Sequence, residues 1–110
     1  MVEESEPTRL RLVEEWCADP YGKKGPELQA LLDTLRLVSV EGGKPLLVET
    51  ERGATWHLAV LEGEPPRPRL LADPPFHSQL AAEWVIFRRR WASLYGTSLD
   101  GLSGPEATHE

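Results

Sequence analysis

The sequence predicts a small α+β domain of order ααββ(β)α: two N-terminal helices, an antiparallel hairpin or three-stranded sheet, and a long C-terminal helix packed on it. Three observations predict it. Apolar residues recur at helical spacing over 8–18 and again over 26–35. The period falls to two after Glu41-Gly42-Gly43, and a helical period rich in large aromatic residues returns over 78–95. A chain of 110 residues makes one domain. The polar, acidic stretches 1–6 and 96–110 read as tails, leaving 7–95 to fold.

In the first helix Leu10, Leu12, Val13, Trp16 and Cys17 occupy an arc of about 160°, with Arg11, Glu14 and Glu15 opposite. It stops at Asp19-Pro20-Tyr21-Gly22, because proline disfavours helical geometry in the residue before it and glycine supplies the turn. The second helix opens at Pro26, whose missing N–H would have had no partner there, and continues with Leu28, Leu31, Leu32 and Leu35.

Two β-rich runs, 46–50 and 55–61, are joined by Glu51-Arg52-Gly53-Ala54 into a hairpin. Alternation places Trp56, Leu58 and Val60 on one face and His57, Ala59 and Leu61 on the other. A lone hairpin is marginal in water, so a third short strand is expected at 69–72, after an extended proline-rich linker at 64–68. In the last helix Leu80, Trp84, Phe87, Trp91 and Leu94 fall within roughly 80° of arc. This stripe is expected to cover the sheet. Ala82, Val85 and Ile86, around Arg89, form a second apolar surface for the first two helices or for a partner.

Charge and motif content exclude several functions. Twelve basic against eighteen acidic residues give a net charge of −6, the reverse of what phosphate neutralisation requires, although segment 63–95 carries +2. No apolar run approaches the roughly 20 residues of a membrane span, and the acidic start is unlike a secretory signal, so a cytoplasmic location is expected. The single Cys17 has no partner for a disulfide or CxxC pair and sits on the apolar arc of its helix. His57, His77 and His109 show no metal-ligand spacing, and His77 or Ser78 is placed to cap the last helix. Glu41-Gly42-Gly43-Lys44-Pro45 lacks phosphate-loop spacing and leads into a strand, so it reads as a turn. Arg88, Arg89 and Arg90 point about 100° apart on a helix and cannot share one phosphate track. No catalytic, cofactor-binding or metal-binding position emerges.

Taken in order, several segments resemble a known family. They are Ala18-Asp19-Pro20-Tyr21-Gly22, the helix-opening Pro26-Glu27-Leu28-Gln29, Gly43-Lys44 before a hairpin containing Trp56-His57-Leu58-Ala59, then Phe76, Ala81-Ala82-Glu83 and Val85-Ile86-Phe87-Arg88-Arg89. Together they resemble the small (alpha) subunit of N,N-dimethylformamidase over about 70 to 75 residues. The resemblance implies an accessory, non-catalytic subunit beside a larger chain that carries the mononuclear iron and hydrolyses an amide to an amine and formate. It transfers no catalytic residue and no cofactor to this chain. On this reading the partner interface is His57, Val85, Ile86 and Arg89, and a homo-oligomer is a further possibility. The alternative is a sheet-plus-helix DNA-binding module using Lys44, Arg52, Arg67 and Arg69, against which Glu49, Glu51 and Glu62 would repel phosphates.

Overall fold

A computed structural model describes residues 6–40 and 42–99. Three helices and a three-stranded antiparallel sheet follow in the expected order: α1 Glu6–Ala18, α2 Pro26–Arg36, β1 Lys44–Glu51, β2 Thr55–Glu62, β3 Arg67–Leu70 and α3 Gln79–Tyr95. Pro26 opens α2, with Glu27 in its first turn and Arg36 in its last, so both ends complement the helix dipole. Between α1 and α2 the Lys24 ammonium donates to the carbonyls of Pro20 and Gly22, the latter at 2.8 Å. Of the two candidates for capping α3, Ser78 does so: its Oγ accepts the Ala81 N–H at 3.1 Å. Gly96, at φ 74°, ends the helix in the left-handed conformation that suits glycine.

The strand order is β1-β2-β3. Leu47 faces Leu58, Val48 faces His57 and Leu46 faces Ala59 across β1 and β2, while Ala59 faces Leu70 across β2 and β3. The third strand starts two residues before the expected 69–72, because 63–66 form a compact turn with a cis Glu64–Pro65 bond instead of an extended linker. After an excursion at Asp73-Pro74-Pro75 the chain returns to β2, where Phe76 and Trp56 exchange both backbone hydrogen bonds at 2.8 and 2.9 Å.

The orientation of α3 corrects the sequence reading. Its aromatic stripe faces α1 and α2, where Trp84, Phe87 and Trp91 pack with Trp16, Leu12, Val13 and the α2 leucines. The sheet lies against the other face, through Ala82 and Ile86 onto Leu58 with Leu47, Trp56, Leu71 and Phe76 around them. The physical reason is side-chain size. Alanine at position 82 lets the helix backbone approach the strands, whereas a row of indoles and a phenyl ring needs the deeper space between helices. Leu94 is exposed, and Tyr95 takes its place in the row, 4.6 Å from Trp91 between ring centroids.

The core also extends into the segment that composition assigns to a tail. Leu99 is only 3% exposed in the helical cluster, and Trp91 Nε1–H donates to Thr97 Oγ1 at 3.3 Å. At the other end α1 begins at Glu6; the rest of both expected tails, with His109, lies outside the described residues.

Two substitutions test this arrangement by urea unfolding. Trp91→Ala, at a position 1% exposed, is expected to cost about 3–5 kcal/mol. Ile86→Asp is expected to cost about as much, because the carboxylate would be buried against the sheet with no partner.

Candidate functional site

Alternation along β2 creates two unlike sheet faces. Leu47, Leu58 and Leu71 point toward α3, so their neighbours Leu46, Val48, His57, Ala59, Leu61 and Leu70 lie on the outer face. Among the described residues α3 covers the inner face, and neither buried apolar cluster includes a side chain of the outer one. Ala59 is buried because Leu46 and Leu70 flank it across the ladder. Leu46, Val48 and Leu61 are partly buried, and Leu70 is 51% exposed. The result is an aliphatic surface centred on Ala59, with one imidazole, that of His57, toward its hairpin end.

The four residues read from the sequence as an interface do not share one surface. His57 sits on the outer sheet face opposite Val48. Ile86 lies beneath the sheet at 9% exposure, and Val85 packs on the same inner cluster, so the apolar surface given to a partner is covered by the chain's own strands. Arg89 reaches the Asp73 excursion and forms a bidentate pair, Nη1 to Oδ2 at 2.9 Å and Nη2 to Oδ1 at 2.6 Å. That guanidinium holds the Asp73 carboxyl below its ordinary value of 3.8, the hydrogen bond outweighing partial burial. The pair fixes the turn between β3 and α3 rather than offering a free charge.

The cations considered for DNA are also divided. Lys44 stands opposite Leu61 and so rims the outer face, whereas Arg69 and Arg67 stand opposite Val60 and Glu62 on the other side. Arg52 is in the hairpin turn, and Arg69 Nε donates to Glu62 at 2.8 Å. The Gly42-Gly43 turn has a steric purpose, because a Cβ at Gly43 would stand 2.2 Å from the Leu61 carbonyl oxygen. Burial, with Glu14 nearby, pushes the Cys17 thiol up to about 11, so it stays protonated at neutral pH. Among the described residues no group of three His, Cys, Asp or Glu side chains could hold a metal ion. Among them, too, no helix is long and apolar enough to cross a membrane.

A second feature escaped the sequence reading altogether. Between α2, α3 and the start of β1 lies a cleft of about 500 Å³. Trp16, Leu35, Leu47, Ile86 and Phe87 form its apolar lining. Arg36 and Asp33 on α2 face Glu83 and Arg90 on α3 across its rim. Arg90 belongs to the arginine run visible in the sequence, but only the fold separates the three roles. Arg88 lies over the Trp84 ring at 5.8 Å, Arg89 holds Asp73, and Arg90 enters the cleft.

Comparison with known proteins is consistent with this fold. A sequence model of the family described as N,N-dimethylformamidase alpha subunit matches residues 6–100, which include Leu99, and the chain belongs to that family. No curated protein matches it.

The Arg89–Asp73 pair gives a pH signature. A carboxyl whose folded-state pKa is depressed stabilises the fold fully above its unfolded value, and that stability is lost as pH falls through the folded value. Asp73→Asn is therefore expected to be less stable than the parent chain at pH 7. The gap should close progressively below about pH 3.9, as read from urea midpoints across that range. A gap independent of pH would assign the loss to packing.

Proposed function

We propose that this chain is a non-catalytic accessory subunit that binds and stabilises a larger N,N-dimethylformamidase-like chain through the outer face of its sheet. The supporting observation is that aliphatic surface of Leu46, Val48, Leu61 and Leu70 with His57 beside it, whose side chains belong to neither buried cluster. Contiguous apolar patches of this kind on a soluble domain mark interaction sites. A family described as an alpha subunit supplies the expectation of other chains. On this reading amide hydrolysis and the iron that the family uses reside in the partner, and this chain contributes binding surface and rigidity.

Of the interface residues expected from sequence, His57 keeps that role. Its imidazole offers one hydrogen bond at the end of an otherwise apolar contact, which would fix the register of docking. Arg89 and Val85 act indirectly, by holding the connection and the helix that support the sheet from behind. DNA binding is the weaker reading, because a sheet face that enters a groove needs cations where this one has leucine and valine.

Co-expression with the large chain of an N,N-dimethylformamidase from the same host, followed by native mass spectrometry, tests the proposal. The parent chain is expected to form a mixed complex of fixed stoichiometry. Val48→Asp, on an accessible strand face where the folding cost is within about 1 kcal/mol, is expected to abolish that complex while leaving the unfolding midpoint nearly unchanged. Assembly by Val48→Asp equal to that of the parent, or no assembly by the parent, would refute it.

A further inference from the structure

The charges around the cleft between α2, α3 and β1 are unequally satisfied. Asp33 accepts from Arg36 Nη2 at 3.0 Å and from Gln29 Nε2 at 3.0 Å. Glu83 accepts from Gln79 Nε2 at 2.9 Å and is also hydrogen-bonded to Tyr21 from the α1–α2 turn, whose pKa is raised by burial first and by the charge and hydrogen bond of Glu83 after it. Both carboxylates of the rim are thus engaged. Arg90 is not: it lines the cleft, and its terminal nitrogens make no hydrogen bond or ion pair among the described residues. Burial first, and the charge of Arg36 second, push its pKa down, which is the signature of a cation held in a partly dry site beside another cation. Arginine does not relieve this by losing its proton. The relief available is an anion.

The shape of the cleft narrows the class of anion. Its volume of about 500 Å³ is in the range of small-molecule sites, and its lining combines aromatic and aliphatic walls with a few polar groups at one end. A bare inorganic anion would leave the partly exposed walls formed by Leu32, Pro45 and Leu47 in contact with water. A neutral apolar molecule would leave Arg90 without an acceptor. Two carboxylates already at the rim, Asp33 and Glu83, would oppose a ligand of high negative charge.

We propose that this cleft binds a monocarboxylate with a flat apolar body, the carboxylate accepting two N–H bonds from the terminal nitrogens of Arg90 and the body lying against Leu32, Pro45 and Leu47. A planar guanidinium and a carboxylate match as two parallel hydrogen bonds, the strongest arrangement open to arginine. The site is separate from the outer sheet face and does not depend on the subunit reading. Ligand binding here would act on the same residues, Ile86 and Leu47, that support the sheet from within.

Isothermal titration calorimetry of the 110-residue chain with sodium benzoate, and with benzamide as its neutral counterpart, tests the inference. Benzoate is expected to bind saturably and benzamide at least roughly tenfold more weakly, the effect of losing charge-assisted hydrogen bonds. Arg90→Gln is expected to weaken benzoate by a similar factor, and Arg90→Lys, which keeps the charge but loses the planar fork, to fall between. Circular dichroism of the variants checks that the fold is retained. Equal binding of benzamide and benzoate, undiminished benzoate binding by Arg90→Gln, or no saturable benzoate binding by the parent chain would each overturn it.

Discussion

Burial of α3 on two opposite faces is the constraint on which the other elements depend. Through Trp84, Phe87 and Trp91 it holds α1 and α2; through Ala82 and Ile86 it holds the sheet. Among the described residues, both the helical layer and the sheet build their buried clusters on this helix. The rings on its helical side form a continuous row, from Trp16 to Phe87 at 4.8 Å, Phe87 to Trp91 at 6.3 Å and Trp91 to Tyr95 at 4.6 Å between centroids. Offset and tilted contacts of this kind add to the area that the rings bury. Arg9 extends the row by lying over Tyr95 at 4.3 Å.

The cleft follows from the same constraint. Large rings keep the helical layer at a distance on one side of α3, while alanine brings the sheet close on the other. The neighbours on either side of α3 therefore sit at different depths, and α2 does not close onto β1. The gap is lined at its base by core side chains and at its mouth by the polar residues of two helices. An orphaned arginine is found there because α3, with apolar residues on both broad faces, has only narrow flanks left for its cations.

Local rules account for the parts of this fold that were legible in the sequence. Pro26 followed by leucines at helical spacing gave α2 and its first residue, and strict alternation in β2 placed His57 on the face away from Trp56. The orientation of α3 was not legible, because periodicity shows that a helix has two apolar faces but not which neighbour each one meets. The pairing of Phe76 with Trp56 was hidden by Pro74-Pro75, which reads locally as a break. Nor does spacing reveal that Arg89 and Arg90, adjacent in the chain, answer to Asp73 and to a cleft respectively; Asp73 lies 16 positions away. Strand alternation thus made the face of His57 legible, whereas the side of α3 that the sheet covers was not.

The margins of the sheet carry a consequence of their own. Along β1, Pro45 has no N–H to donate and the ladder shifts register between Glu49 and Glu51; β3 is four residues long, with Pro68 between two arginines. Such margins discourage another strand from joining sideways. Main-chain edges are indiscriminate, accepting almost any extended peptide, whereas a surface of leucine, valine and one imidazole accepts only a complementary shape. A chain built this way favours selectivity over promiscuity in its encounters.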